Sequence, residues 1–224
     1  MDANTQLSPL VSFDVAPRVA VGGRRKRAFD IVFATLGLLG SGILFLVVAV
    51  VLRLTSRGPV FFRHERVGLN GETFMCLKFR TMHCNADEIL AKTLATSPEA
   101  REEWREYRKL KNDPRIIPVV GNFLRKTSLD ELPQLINVLR GDMSIVGPRP
   151  VTPEEIGLYG EYAWEVLTVR PGVTGLWQVS GRNWLTFDQR VALDTSYVRS
   201  WSMFADGRII VRTVAVLLTG QGAY

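Results

Sequence analysis

The chain has little from which to build a metal centre or a disulfide framework. Its 224 residues include two cysteines, Cys76 and Cys84, and two histidines, His64 and His83. The cysteines form no Cys-x-x-Cys pair, which speaks against a disulfide scaffold or a zinc site and fits a reducing setting. Two histidines are too few for a histidine-based metal centre, and both read as ordinary surface or interfacial side chains. No Walker loop, dinucleotide-binding glycine fingerprint or Ser-His-Asp order occurs. Internal repeats and low-complexity segments are lacking too. Charge is missing over one long stretch, because no residue from Ile31 to Leu52 is ionisable.

That uncharged run is the first positive signal. About 22 residues make roughly 33 Å of helix, enough to cross a bilayer. The run starts late and has no small-x-small site behind it, unlike a cleaved signal peptide. Arg24-Arg25-Lys26-Arg27 precede it, and Arg53, Arg57, Arg63 and Arg66 follow it. Positive charge prefers the cytoplasmic side, so basic residues at both ends predict a helix that dips in and returns. Gly40-Ser41-Gly42 is the expected bend. Residues 1–23 read as a flexible tail, 24–57 as the membrane-inserted helix and 58–224 as a catalytic domain on the cytosolic face. The net charge of +6 suits lipid headgroups, phosphorylated substrates or nucleic acid. Basic residues that flank an apolar segment, with no nucleic-acid-binding module, favour membrane lipid over nucleic acid.

The remainder predicts an α+β fold, mostly helical, with a small β-hairpin and amphipathic helices at the membrane surface. Asn70-Gly71 joins two strand-like stretches, Val60-Phe61-Phe62 and Thr73 to Met82, and is the strongest hairpin signal. Along the second stretch Phe74, Cys76, Lys78 and Arg80 share one face; Lys78 and Arg80 read as a solvated face or as cations beside a phosphate site. Helices are predicted over 85–94, 98–110 (Ser97 as N-cap, Pro98 first), about 129–139, 187–201 and 208–218. The last is apolar but too short to span.

Three runs carry candidate chemistry. In Arg125-Lys126-Thr127-Ser128-Leu129-Asp130-Glu131-Leu132-Pro133-Gln134, the spacing Ser128-x-x-Glu131 has the form of a capping box. Asp130 and Glu131 then fall in a first helical turn that favours ionised carboxylates; an ordinary acidic helix start is the bland alternative. Gly147-Pro148-Arg149-Pro150 is a stiff turn that fixes its guanidinium, suiting either bidentate phosphate binding or a structural salt bridge. Arg170 to Asn183 is rich in glycine, basic at both ends and carries Trp177, so it reads as a nucleotide or sugar loop or as an irregular loop packed by the indole.

Together with Lys26-Arg27-x-Phe29-Asp30, Gly58-Pro59-Val60-Phe61-Phe62, Arg66-Val67-Gly68, Lys78-Phe79-Arg80-Thr81-Met82 and Gly141-Asp142-Met143-Ser144, these runs follow one order. In that order the chain resembles the bacterial sugar transferases, the small monotopic polyprenyl-phosphate phosphoglycosyl transferases, over about residues 24 to 215. The resemblance implies transfer of a sugar-1-phosphate from a UDP-sugar to undecaprenyl phosphate with release of UMP, at the cytoplasmic face of the bacterial inner membrane. This is a first step of exopolysaccharide or glycoconjugate assembly. It implies Asp130 as the nucleophile that forms an acyl-phosphate, Glu131 completing the dyad and Asp130 binding Mg²⁺. Arg125 and Arg149 match phosphate-holding positions, and Lys78, Arg80, Arg170 and Arg182 are weaker matches as site-lining cations. A homodimer is a candidate assembly. One departure stands out: where the family breaks its membrane helix with Ser-Pro, this chain has Gly42-Ile43. The alternative from another class is a membrane-anchored scaffold that has kept the fold without the activity.

Overall fold

The uncharged run forms the middle of one unbroken helix, α1 (Gly23–Thr55), in the computed structural model of the chain, which describes residues 20–107, 110–181 and 185–219. Gly40, Ser41 and Gly42 are all helical, and Ser41 Oγ donates to the Gly37 carbonyl (2.6 Å). The expected bend is therefore not a break in the helix. A serine hydroxyl that bonds back one turn is satisfied within the helix, a contact that can curve a helix without breaking it.

Both ends of α1 pack on the same body. Ala34 meets Cys76, Val138 and Met143, while Val48 and Leu52 meet Phe79, Ile117 and Leu124. Between them, from Thr35 to Val47, no residue is buried. Leu36, Leu39, Ile43 and Leu46 are 62% to 83% exposed. Among the described residues α1 alone is long and apolar enough to cross a membrane.

Polar side chains fasten its first turns. Lys26 Nζ lies 2.7 Å from Asp206 Oδ2, and Asp206 also accepts from the Tyr197 hydroxyl (2.8 Å) and Trp201 Nε1 (3.2 Å). Asp30 accepts from Ser144 Oγ (2.8 Å) and the Ile145 N–H (3.0 Å). A buried charge is tolerated only when paired and hydrogen-bonded, and these contacts supply that.

The hairpin forms as predicted, β1 (Phe61–Val67) antiparallel to β2 (Thr73–Phe79), with Phe62 opposite Lys78 and Arg66 opposite Phe74. Asn70 (φ 57°) and Gly71 (φ 84°) turn the chain between them. Beyond the hairpin follow α2 (Ala86–Thr96), α3 (Pro98–Tyr107), α4 (Val120–Thr127), α5 (Gln134–Arg140), α6 (Pro153–Gly157), α7 (Ala163–Val166), α8 (Leu176–Ser180), α9 (Phe187–Arg199) and α10 (Met203–Thr219). Ser97 caps α3 through the Ala100 N–H (3.1 Å). Two short strands that the sequence did not announce, β3 (Ser144–Val146) and β4 (Gly172–Thr174), pair in parallel. Gly147 makes this possible: a Cβ there would collide with the Arg170 carbonyl and the Gly172 nitrogen. The run from Arg170, expected as a loop, thus holds a strand and the short helix α8.

Asn137 on α5 ties the hairpin to the helices. Its side chain accepts from the Leu77 N–H (2.9 Å) and donates to the Met75 carbonyl (2.8 Å) and Asp142 Oδ2 (2.9 Å). The outer edge of β2 is thereby satisfied by a side chain rather than by a third strand.

Candidate active site

The fold leaves a cavity of about 1090 Å³. Its floor is one face of the hairpin, because Phe62, His64, Arg66, Cys76 and Lys78 all line it and share that face by register. The two histidines, expected to be ordinary, both border it.

Asp130 and Glu131 stand on the wall above Lys78. The segment that carries them is not the start of a long helix. Ser128 is left-handed (φ 57°) and terminates α4, residues 129–131 form one 3₁₀ turn, and α5 begins only at Gln134. The predicted capping box is corrected accordingly. The Ser128 side chain caps nothing; its backbone carbonyl accepts from the Glu131 N–H (3.2 Å). The Glu131 carboxylate goes instead to Lys78 Nζ at 2.6 Å. A local motif lost to a charge-assisted bond across 53 residues, which is the stronger interaction. Complete capping boxes occur elsewhere, at Thr152–Glu155 and Thr186–Gln189.

The electrostatics separate the groups. Burial, and then repulsion from Glu131, push the Asp130 carboxyl up to about 6, against the pull of Lys78 and Arg125. Burial works against the Lys78 ammonium, but Glu131 and Asp130 outweigh it and leave its pKa above the ordinary value. Arg125, at the end of α4, lines the cavity and donates Nε to Thr81 Oγ1 (2.9 Å). The cavity therefore presents a carboxylate that titrates near neutrality beside two cations.

The other expected cations part company. Arg80 borders the cavity, yet its guanidinium donates to the Arg57 (2.7 Å) and Ser56 (3.1 Å) carbonyls, clamping the end of α1. Arg149 does not line the cavity; it lies 3.7 Å from Glu155 and 5.7 Å from the centroid of Trp177, which does. Arg170 points elsewhere, donating Nε to the Gly141 carbonyl (2.7 Å) near Arg27 and away from the cavity. Arg182 lies outside the described residues. Arg66 and Arg115 border the cavity and were not expected as site residues, and Trp177 of the glycine-rich run borders it too. A hairpin face was legible for Lys78, and the same parity on β1 would have pointed to Arg66.

Among the described residues no group of three or more His, Cys, Asp or Glu side chains gathers around a common point. The donor set for an expected Mg²⁺ is the adjacent pair Asp130 and Glu131. One or two carboxylates completed by substrate phosphates is the usual way this ion is held, so the residues fit an ion that arrives with a phosphorylated substrate.

Comparison with known proteins shows the family. Residues 22–220 match the family model described as bacterial sugar transferase. The chain is 50% identical over 204 residues to the exopolysaccharide production protein ExoY of Rhizobium meliloti, covering 91% of this chain and 90% of that protein. It is 48% identical to the undecaprenyl-phosphate galactose phosphotransferase of Salmonella typhimurium, covering 89% of this chain but 41% of that longer one. It is 42% identical to the UDP-glucose:undecaprenyl-phosphate glucose-1-phosphate transferase of Caulobacter vibrioides, over 99% of this chain and 79% of that one. With a match across nearly its whole length, and with Asp130, Glu131, Lys78 and Arg125 gathered on one cavity wall, the chain belongs to the bacterial sugar transferase family.

Proposed function

We propose that this protein moves a sugar-1-phosphate from a UDP-sugar to undecaprenyl phosphate, releasing UMP, and so begins assembly of a surface polysaccharide. The activities for which the Salmonella and Caulobacter relatives are named support the reaction class. The observation that carries the reading to this chain is the Asp130 carboxylate, displaced in pKa and flanked by Lys78 and Arg125 in a large cavity.

In this mechanism Asp130 attacks the sugar-linked phosphorus. A bond forms from its carboxylate oxygen to phosphorus, the bond from phosphorus to the bridging oxygen breaks, and UMP leaves with the electron pair. An oxygen of undecaprenyl phosphate then attacks the same phosphorus and returns the carboxylate. Covalent catalysis divides one difficult displacement into two. Lys78 holds Glu131 in place and adds positive charge beside both carboxylates, and Arg125 offers its remaining guanidinium N–H groups to phosphate oxygens. Asp130, with Glu131 alongside, would hold Mg²⁺, which when bound would supply further neutralisation of phosphate charge. The lipid acceptor explains the apolar surface of α1, which dips into the cytoplasmic leaflet of the inner membrane and returns. The middle of α1, where nothing is buried although both ends dock on one body, supports that geometry.

The test is UMP release from UDP-sugar plus undecaprenyl phosphate. Asp130→Asn and Glu131→Gln each abolish it while the protein still melts cooperatively. Retained turnover in either variant contradicts the reading. A panel of UDP-sugars in the same assay identifies the donor.

A further inference from the structure

The hairpin floor has two ends. Lys78 lies opposite Phe62, and Arg66 lies four residues further along β1 on the same face, about 13 Å away at ~3.3 Å per residue. The Lys78 end holds Asp130 and Glu131. The Arg66 end is a second, separately built corner. Arg66 (3.2 Å) and Arg149 (3.7 Å) share the one carboxylate of Glu155. Arg149 and Arg190 each place a guanidinium against the Trp177 ring, at 5.7 and 5.3 Å from its centroid. Among the described residues two donors there, Trp177 Nε1 and Arg190 Nε, are buried without a partner. Unpaired buried donors are rare and costly, and three guanidiniums crowd this corner against Glu155 and the buried Asp194, whose carboxyl burial pushes up to about 7.

We propose that this corner is the subsite for the nucleoside monophosphate half of the donor, with Trp177 and Arg190 as its recognition residues and Arg66 and Arg149 completing the positive wall. The inference rests on the sugar-1-phosphate transferase reading and deepens it. A nucleotide whose sugar-linked phosphorus sits at Asp130 extends along the hairpin floor towards this corner. There the planar base finds an aromatic ring, and its carbonyls, with the ribose and phosphate oxygens, find the unpaired N–H groups. Guanidiniums that crowd one another are relieved by such an electron-rich guest: burial first, and then Arg149, lower the pKa of Arg190, and the same two causes act on Arg66 against the pull of Glu155. This corner, where Arg66 and Trp177 line the cavity and Arg149 and Arg190 stand against Trp177 outside the lining, is thus distinct from the reacting end, and the two respond differently to substitution.

The experiment uses the full chain in detergent and measures UMP and inorganic phosphate binding by calorimetry, with UMP release assayed in parallel. Arg190→Gln and Trp177→Phe each weaken UMP binding about tenfold or more and leave the weaker binding of inorganic phosphate within about twofold. In turnover the loss falls mainly on KM for the UDP-sugar, and Arg190→Lys recovers part of it. Arg190→Lys keeps the charge and the fold, so it reports even if the glutamine variant is unstable. If wild type releases UMP while Trp177→Phe and Arg190→Lys bind UMP as tightly as wild type, this subsite is overturned and the transferase reading stands. If wild type neither binds UMP nor releases it, both are overturned.

Discussion

Asp130 is harder to ionise in the folded protein than in the unfolded chain. Burial and the adjacent Glu131 raise its pKa to about 6, so the folded state holds this proton more tightly. Stability from this group is therefore present at low pH and declines as pH rises from about 4 through 6. At pH 7.5 the ionised side chain costs about 1 to 3 kcal/mol. Asp130→Asn, which is predicted to be inactive, should accordingly melt at a higher temperature than wild type in a thermal scan at pH 7.5. The nucleophile must also be ionised to act. Turnover at low UDP-sugar should fall about tenfold per pH unit below the pKa of Asp130, which Mg²⁺ held there would lower. Lys78 is among the groups that keep that limb low, so Lys78→Gln should move it upward by about one unit in a pH–rate profile.

At the same scale, residue pairs distant in sequence are where reading the chain alone went astray. Ser128 and Glu131 have the spacing of a cap, but spacing cannot register that Lys78 will stand 2.6 Å from the carboxylate. Arg170 sits in a basic, glycine-rich run, yet the carbonyl of Gly141 claims it. In both cases a long-range partner displaced a local rule.

Elements were legible in proportion to how local their signals are. Asn70-Gly71 dictates its turn from two adjacent residues, and the hairpin forms where expected. Gly141 ends α5 by a similarly local rule, left-handed (φ 98°) with its N–H bonded to the Asn137 and Val138 carbonyls. The parallel pair β3 and β4 has three residues in each strand, too few for a periodic pattern, and exists because Gly147 permits close approach. Asn137 joins β2 to α5 through two bonds. Replacing it by alanine leaves buried backbone groups of β2 unpaired and should cost about 2 to 4 kcal/mol. A lowered melting temperature, together with reduced activity because β2 carries Lys78, is the expected outcome. The anchor of α1 behaves similarly: Asp206→Ala strands the Lys26 ammonium in the interior and should destabilise by about 3 to 5 kcal/mol. The double change Lys26→Met, Asp206→Leu should be milder than either single loss of a partner, as thermal scans of the three proteins would reveal.

For the whole molecule, one arrangement joins membrane and chemistry. A helix fastened at both ends to the same body has no buried residue from Thr35 to Val47, and Phe61, Phe62 and Phe79 line the cavity. Phe61 and Phe79 also pack against Phe45 of α1. The uncharged run announced the helix plainly, because an apolar stretch of about twenty residues matches the thickness of a bilayer's hydrocarbon core. That both ends dock on one body has no local signal in the sequence, since the basic flanks bear only on membrane side. Cysteines introduced at positions 25 and 54 should both react with an impermeant thiol reagent from the cytoplasmic side only. Reaction of one from each side would mean that α1 spans.

The mechanism stands or falls on a covalent bond between Asp130 and the phosphosugar. Incubating the full chain with its UDP-sugar and Mg²⁺ in the absence of undecaprenyl phosphate, followed by acid quench and peptide mass spectrometry, reads that bond itself. One equivalent of UMP should be released, and a sugar-phosphate mass should appear on the peptide containing Asp130. The adduct should be absent from Asp130→Asn and discharged on adding undecaprenyl phosphate. UMP release that requires the lipid acceptor, with no adduct at Asp130, would contradict the two-step mechanism.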